Sequence, residues 1–552
     1  MSSSNSKEKG NSLADSMPAH RHGHLEDMKN IEDTGKFEKA IYNYVPLLIP
    51  SLRYVNYLKR VFEYLFYTLL FDITMPFVKP LNFFVMFILF PIGALILIVL
   101  DIILRVFSFL SIDTSVKPVR DWGVLSENNY DEIVRKGVYE LGKPFESYED
   151  EQDGDVKIFK QIRNFNIDMV ETLLFLATTV YERKEEYVNN AINRIQKIQT
   201  SSAEATPQDI KYIKGQLLEA EKTIVRQAED WGLGFTSISE LNSLGGPYAG
   251  MFWSKERKFI VVAFKGTTAA YFSEWLIDFL VQKIDARAYL YGKVHEGFYT
   301  SLFPKNDKES SKYYRRSPSM RLIEAIRSKA AEITDYNEQD GPVSVWITGH
   351  SLGGGLATLF YTRLLKSPEI LGKNCMLRDG LAFAAPIVGD DNFASSFSSR
   401  SNKPYETSTT LWRVIAGSDI VPHVAPANRN PKIQRYFTNV EAINYVHIGE
   451  EITFNFDGSR PSATRPVLGT EDYFVFDKMS TWGDLKFAFK GSQKKQHLRK
   501  PVNVNVNKPL YAFEKLYPLP IRNHLPHRYF ISMELARHYF EETEQQKLEL
   551  KG

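Results

Sequence analysis

The sequence has almost no cysteine, and this absence narrows the classes of protein that it can belong to. Cys375 is the single cysteine in 552 residues, so no intramolecular disulfide can form. Secreted enzymes of this size usually carry disulfides, and the lack of them favours a cytosol-facing protein. No Cys/His spacing of the zinc-binding kind is present either, so we expect no metal centre.

An excess of charge of one sign is also lacking. The formal net charge is +2, and Lys and Arg are spread along the whole chain, so no nucleic-acid partner is indicated. The start contains no apolar segment followed by a cleavage site, and we expect no secretory signal peptide. Residues 1–40 are rich in Ser, Asn, Lys, Glu and His, which predicts a disordered polar tail because little apolar surface can be buried there.

Residues 41–110 are, in contrast, strongly apolar and predict a membrane-associating region. The stretch Leu81 to Leu100 carries no charge, and about 20 such residues suffice to cross a hydrocarbon core as a helix. Pro91 and Gly93 lie near its middle, where a helix would kink or reverse. Two arrangements stay open, a hairpin that enters one leaflet and a single transmembrane span.

The remaining chain divides into a helical region and a larger domain that contains the predicted strands. Residues 111–240 show helical spacing of apolar side chains, which predicts helices that pack on the core and carry no chemistry. Gly232 to Gly246 is expected to form a loop before the sheet. Residues 241–552 contain several continuous apolar, β-branched runs, of which Lys258 to Phe264 is the first. Residues 457–506 are polar and basic, and predict a surface insertion.

The clearest chemical signal is the pentapeptide Gly349-His350-Ser351-Leu352-Gly353. A buried strand from Val343 precedes it, and a helix of small and apolar residues follows it. A G-x-S-x-G sequence at such a junction forces a sharp turn that exposes the serine hydroxyl on a strained backbone. The helix N-terminus then lies where negative charge develops. The pattern predicts that Ser351 is a nucleophile; an ordinary glycine-rich turn is the alternative.

Asp419 follows the strand predicted within Leu411 to Pro426. An acid at the C-terminal end of a sheet strand, followed by a loop with proline, is where a hydrolase keeps its orienting carboxylate. An N-cap aspartate is the alternative interpretation.

A second hypothesis concerns the segment after Thr268. Its large apolar side chains fall on one face of a predicted helix: Phe272, Trp275, Leu276 and Phe279. We expect a lid whose apolar face covers the site in water and turns outward at a lipid surface. The alternative is an ordinary amphipathic helix on the sheet.

Five segments in the same order and spacing resemble the class 3 lipases, an α/β-hydrolase family that includes triacylglycerol lipases of filamentous fungi. They are FKGTT, VHEGF, TGHSLGGGLATL, GSDIVP and NHLPHRYF, between Gly246 and about Tyr539. The apolar N-terminal region and the lack of disulfides look more like plant oil-body lipases and related intracellular fungal proteins. The resemblance implies an α/β-hydrolase fold with a mostly parallel central sheet, preceded by the membrane-associated helical region.

The resemblance also implies the roles of the site residues. Ser351 is the nucleophile, Asp419 the acid, and His524 the base, with His527 as a competitor and His538 as a weaker third candidate. Chain order Ser, Asp, His is that of α/β-hydrolases.

The backbone N–H groups of Leu352 and Thr267 would form the oxyanion hole. No cofactor or metal is needed.

The function implied is triacylglycerol hydrolysis at a membrane or lipid droplet surface. The expected location is the lipid droplet, the endoplasmic reticulum or both. A phospholipase or an acyltransferase would use the same triad. A non-catalytic scaffold on lipid droplets is a further alternative, and the substrate partner expected is an acylglycerol.

Overall fold

The structure is a computed structural model. It describes residues 127–143, 165–201, 205–238, 248–266, 283–303, 317–334, 341–401, 410–419, 421–423, 445–458, 461–464 and 519–549, together with scattered residues between 66 and 95. Several predictions concern residues outside these ranges: the polar tail at 1–40, most of the apolar region at 41–110, the lid, and most of the insertion at 457–506.

The main helices lie before, between and after the strands of one sheet. They are α1 (Glu127–Leu141), α2 (Ile167–Thr179), α3 (Glu185–Ser201), α4 (Pro207–Asp230), α5 (Glu296–Leu302), α6 (Pro318–Ile333), α7 (Leu352–Lys366), α8 (Asp391–Ser401), α9 (Leu519–Arg522) and α10 (Pro526–Glu549). The strands are β1 (Gly234–Ser237), β2 (Ala249–Ser254), β3 (Phe259–Phe264), β4 (Lys283–Asp285), β5 (Lys293–His295), β6 (Val343–His350), β7 (Cys375–Phe383), β8 (Leu411–Ala416), β9 (Glu450–Phe454) and β10 (Ser462–Thr464).

Within the described residues, eight strands form one sheet in the order β1-β2-β3-β6-β7-β8-β9-β10. The five strands β3, β6, β7, β8 and β9 pair in parallel, and the antiparallel pairs lie at the two edges. Strands β4 and β5 form a separate two-stranded sheet. The predicted α/β class and the mostly parallel central sheet are therefore confirmed.

Helices cover both faces of the sheet, which explains why its central strands are continuous apolar runs. Along β3, Ile260 and Val262 pack into the apolar cluster that contains α5, α6 and α7. The alternate residues Val261 and Ala263 pack into a second cluster that contains α1, α2 and α10. This alternation follows from the two-residue period of a strand. Every residue of β3 and of β6 is buried.

Helix α2 lies at the centre of the second cluster, and all of its residues except Asp168 are buried. Asn166 caps its N-terminus by accepting a hydrogen bond from the Met169 N–H at 3.0 Å. Arg537 of α10 forms ion pairs with Asp168, at 2.6 Å, and with Glu171. These contacts hold α2 against α10.

The prediction of a loop just before the sheet is wrong in part. Gly232 to Gly246 was expected to form a loop, but Gly234–Ser237 is strand β1 and pairs antiparallel with β2. Gly234 lies against the Trp253 ring, where a Cβ would come within 2.2 Å of the indole. The strand exists because of this long-range pairing, which its glycine-containing sequence does not reveal.

The apolar stretch from Leu81 to Leu100 lies largely outside the described residues. None of the helices in the described part of the chain is both long and apolar enough to span a bilayer. Large apolar side chains among the scattered residues from 66 to 95 are exposed, by 41% at Ile88 and by 88% at Phe77.

Candidate active site

Ser351 occupies a sharp turn between β6 and α7. Strand β6 ends at His350 and helix α7 begins at Leu352, so one residue makes the whole change of direction. Its φ of 59° and ψ of −128° lie in a region that residues with a side chain rarely adopt. The Ser351 N–H donates to the Phe383 carbonyl at 2.9 Å, which holds the turn against the end of β7.

Two glycines allow the main chain to pass this close to itself. A Cβ on Gly349 would lie 2.2 Å from the Gly353 carbonyl oxygen, and one on Gly353 would lie 2.1 Å from the Phe264 carbonyl oxygen. Both neighbouring groups are backbone and cannot rotate away. The positions of glycine in the pentapeptide are thus required by the packing of β3, β6 and α7.

The structure brings Ser351, His524 and Asp419 together from distant parts of the chain. His524 Nε2 lies 2.9 Å from Ser351 Oγ, and His524 Nδ1 lies 3.0 Å and 3.1 Å from the two carboxylate oxygens of Asp419. The three residues are 2%, 5% and 0% exposed, respectively. Because Asp419 accepts at Nδ1, that nitrogen carries the proton, and Nε2 is left to accept a proton from the serine hydroxyl.

Asp419 lies just beyond the end of β8, and several donors surround its carboxylate. Its Oδ1 accepts the Val421 N–H at 2.9 Å, and its Oδ2 accepts the Tyr529 hydroxyl at 2.5 Å. The first of these bonds resembles an N-cap, so Asp419 caps the turn that begins at Val421 and also holds the imidazole. Burial, followed by the charge of Asp419, raises the pKa of Tyr529 well above its usual value, so this phenol remains a donor.

His524 is held by the short segment between α9 and α10. The Asn523 N–H donates to the Leu519 carbonyl at 2.9 Å, and the Asn523 side chain donates to Ser418 Oγ at 3.2 Å. Ser418 directly precedes Asp419, so the segment that carries the base is tied to the segment that carries the acid.

The competing histidines lie elsewhere. His527 is buried in the first turn of α10. His538 is on the exposed side of α10, and its ring is tilted against that of Tyr539, with 3.9 Å between centroids. The residue that contacts both Ser351 and Asp419 is His524.

The other predicted site residues are only partly described. Leu352 is the first residue of α7, so its backbone N–H belongs to the helix N-terminus beside Ser351. Thr267 and the lid residues Phe272, Trp275, Leu276 and Phe279 lie outside the described residues. Among the described side chains, no group of three or more His, Cys, Asp or Glu residues is arranged to hold a metal ion.

Three residues with a part in this geometry were missed in the sequence. Tyr529 lies five residues after His524 in a segment that was singled out only for its histidines. His350 lies inside the pentapeptide and contacts the backbone of His524, and Tyr181 contacts His350 from 169 residues earlier in the chain. The first two are close in sequence to predicted residues, whereas Tyr181 follows an ordinary apolar helix and gives no local signal.

Comparison with known proteins agrees with the motifs. Residues 261–429 match the family model described as Lipase (class 3). This range contains Ser351 and Asp419 but ends before His524, so the assignment of the base rests on the geometry. The resemblance to class 3 lipases is confirmed over these residues.

The curated relatives that match include plant phospholipases. Phospholipase A1-II 3 of Oryza sativa subsp. japonica is 29% identical over 192 residues, which cover 31% of this chain and 40% of that protein. Phospholipase A1-IIgamma of Arabidopsis thaliana is 30% identical over 158 residues, which cover 26% of this chain and 34% of that protein. The chain therefore spans well under half of the length of these relatives.

Solved structures of fungal lipases are also similar. Lipase II from Rhizopus niveus shares 22% identity, with 43% of this chain and 69% of that chain covered and a TM-score of 0.28. The native propeptide complex of Rhizomucor miehei lipase shares 18% identity, with 61% and 86% covered and a TM-score of 0.32.

Proposed function

We propose that this chain, which carries a class 3 lipase region at residues 261–429, hydrolyses the ester bonds of acyl lipids through a serine nucleophile. The observation that carries the proposal is the 2.9 Å contact between Ser351 Oγ and His524 Nε2, backed by the Asp419 carboxylate on the other side of the imidazole. Nucleophile, base and orienting acid are then in the order in which an ester hydrolase uses them.

The chemistry follows from these contacts. Ser351 Oγ attacks the acyl carbonyl carbon, and His524 Nε2 takes the hydroxyl proton while Asp419 stabilises the imidazolium. The tetrahedral intermediate collapses, the alcohol leaves with the proton from His524, and the acyl group remains on Ser351. Water then attacks the acyl-enzyme with His524 as base, which releases the fatty acid and restores the hydroxyl.

Negative charge on the tetrahedral oxygen needs donors that are already in place. The N-terminus of α7 supplies the Leu352 N–H next to the nucleophile. The backbone N–H of Thr267, three residues after the end of β3, is proposed as the second donor. One such donor lowers the barrier by about 3 kcal/mol.

Triacylglycerol is the first candidate substrate. The apolar face of the proposed lid, with Phe272, Trp275, Leu276 and Phe279, suits an enzyme that opens at an oil surface. A phospholipid is the second candidate, because the curated relatives described above are named phospholipases A1. Both substrates present an acyl ester to the same triad, and the enzymes that use them would differ in the acyl pocket and the lid.

Attachment to a membrane or a lipid droplet is proposed from the apolar region. The uncharged stretch Leu81 to Leu100 and the exposed apolar side chains between 66 and 95 support a lipid surface as the partner. We expect that removal of Leu81 to Leu110 moves the protein from the membrane fraction to the soluble fraction and keeps esterase activity on short-chain esters. Retention in the membrane fraction would contradict the attachment.

The function is tested with the full-length chain in detergent. Fatty acid release is measured from a triolein emulsion, from phosphatidylcholine vesicles and from a soluble short-chain ester, for the wild type and for Ser351→Ala. Ser254→Ala, a buried serine on β2 outside the site, is the matched control. We expect Ser351→Ala to remove release from every substrate and Ser254→Ala to keep it.

The substrate panel separates the candidates. Preferential release from triolein supports the triacylglycerol assignment, and preferential release from phosphatidylcholine replaces it with a phospholipase. Equal release by the wild type and Ser351→Ala would refute the serine nucleophile. No release from any of the three would refute the proposed function and leave the scaffold alternative.

A further inference from the structure

Helix α2 leads to a tyrosine that reaches the site from outside the region matched to the family. Tyr181 lies in the turn Val180–Glu182 directly after α2. Its hydroxyl is 3.2 Å from His350 Nδ1 and 3.3 Å from the His350 carbonyl oxygen. His350 is the residue immediately before Ser351, so a side chain of the N-terminal helical layer touches the residue next to the nucleophile.

His350 in turn holds the main chain of His524. Its Nε2 lies 3.1 Å from the His524 carbonyl oxygen, and the two rings are 5.1 Å apart between centroids. A carbonyl only accepts, so Nε2 of His350 must carry a proton. Burial holds the pKa of His350 well below its usual value, so the ring is neutral and its Nδ1 has no proton.

The Tyr181 hydroxyl has one proton, and both the bare Nδ1 and the carbonyl oxygen of His350 lie within its reach. In either case the Tyr181 hydroxyl donates to His350, and the Tyr181 oxygen also faces Gly266. Gly266 lies directly against this oxygen, since a Cβ there would come within 2.0 Å of it. Contacts therefore run from Gly266 through Tyr181 and His350 to the carbonyl of His524.

The two ends of this series of contacts are the two parts of the site that must be aligned. Gly266 directly precedes Thr267, which was proposed above as an oxyanion donor. His524 is the proposed base, and its imidazole is held by Asp419 only at Nδ1. Asp419 orients the ring, whereas the bond from His350 restrains the backbone from which the ring projects.

We propose that Tyr181 and His350 are positioning residues that hold the backbone of His524 and the turn at Gly266 in place relative to Ser351. The inference rests on the proposed function, because it assigns a part in the same hydrolysis. It gives the helical layer before residue 240 a direct influence on the site, which the sequence had indicated only as packing.

The test is a double-mutant cycle on kcat for a soluble short-chain ester, with the full-length protein. The variants are Tyr181→Phe, His350→Phe and both together. Tyr181→Phe removes the hydroxyl and keeps the ring. We expect it to lower kcat about tenfold, the effect of one lost hydrogen bond, with KM changed by less than about twofold. In the His350→Phe background the same change should lower kcat by clearly less than tenfold, because the bond to Nδ1 is already absent and only the contacts with the His350 carbonyl and Gly266 remain.

Two further variants separate positioning from general packing. His350→Gln places a carboxamide that can donate to the His524 carbonyl and accept from Tyr181, so it should keep more activity than His350→Phe. Tyr248→Phe is the matched control, since Tyr248 is a buried tyrosine whose hydroxyl donates to Glu221 at 3.0 Å. We expect its kcat to stay at the wild-type value, even where its melting temperature falls.

Three results would overturn the inference. They are an unchanged kcat in Tyr181→Phe, a fall no larger than that in Tyr248→Phe, and additive effects in the double variant. If His350→Phe does not fold, the comparison of Tyr181→Phe with Tyr248→Phe still decides. Ser351→Ala is assayed alongside: if it keeps activity, the proposed function fails, whereas an inactive Ser351→Ala with an unchanged Tyr181→Phe refutes the inference alone.

Discussion

Replacing Asp419 with asparagine exchanges one carboxylate oxygen for an amide nitrogen at the centre of the site. We expect this change to move the proton of His524 from Nδ1 to Nε2. The carboxylate is fully buried and accepts from three donors: the Val421 N–H at 2.9 Å, the Tyr529 hydroxyl at 2.5 Å and His524 Nδ1. An amide has one oxygen, and the Val421 N–H can only donate, so that oxygen must stay at the Oδ1 position. The amide nitrogen then takes the Oδ2 position, 3.0 Å from His524 Nδ1, and replaces one of the two acceptors of the Nδ1 proton with a donor, while the oxygen stays 3.1 Å from Nδ1.

This arrangement disfavours the proton that catalysis needs. An amide N–H that faces an Nδ1–H brings two donors together, and the imidazole relieves this by moving its proton to Nε2. Nε2 is the atom that lies 2.9 Å from Ser351 Oγ, so the serine loses its base. We expect kcat to fall about 10⁴-fold, or about 5 kcal/mol of transition-state stabilisation.

The assay is kcat on a soluble short-chain ester, with the melting temperature measured on the same samples. Asp390→Asn is the matched control: Asp390 is also a buried aspartate, and its Oδ1 accepts the Lys293 and Phe393 N–H groups at 3.1 Å and 2.8 Å. An asparagine oxygen can keep both bonds, so we expect wild-type kcat there. A fall of less than about tenfold in a folded Asp419→Asn protein would refute the role given to Asp419.

Two other predictions concern the turn at Ser351 and a buried acid. Gly353→Ala places a Cβ 2.1 Å from the Phe264 carbonyl and should destabilise the fold by about 2–4 kcal/mol in chemical denaturation. Gly215→Ala, on the exposed side of α4 with open space around it, should stabilise it by about 0.5–1 kcal/mol; equal effects would contradict the packing argument. Burial, partly offset by Arg537, raises the pKa of Glu171 from 4.5 to about 7. The folded state therefore holds that proton more tightly than the unfolded chain, and the stability that it contributes below pH 4.5 is lost as the pH rises through about 7. As the pH rises from 5 to 8, the free energy of unfolding of Glu171→Gln should therefore increase relative to that of the wild type by up to about 3 kcal/mol. A difference between the two proteins that does not vary with pH would show that Glu171 stays ionised throughout.

Much of the fold could be predicted from the sequence because its central strands have a clear sequence pattern. β3 and β6 are buried on both faces, so their apolar runs are continuous. The strand, turn and helix around Ser351 follow from an apolar run, the G-x-S-x-G sequence and the small and apolar residues after it. β1 was missed because a short strand at the edge depends on its partner, here β2, more than on its own residues.

The site was predictable to the extent that its residues lie in local motifs. Ser351 and Asp419 each follow a recognisable strand. The choice between His524 and His527 needed the fold, because the two lie three residues apart, His524 in the turn before α10 and His527 in the first turn of that helix. The contact of Tyr181 with His350 depends on the packing of α2 against the sheet, and nothing near Tyr181 in the sequence indicates it.

The central claim is that one serine hydroxyl is made reactive by one imidazole. Covalent labelling with a long-chain alkyl phosphonate, followed by mass spectrometry of the intact protein and its peptides, tests this most directly. The account predicts a single adduct on the peptide that contains Ser351, no adduct in Ser351→Ala, and slow labelling in His524→Ala. An adduct on another residue in the wild type, or a rate of labelling unchanged by the loss of His524, would contradict it.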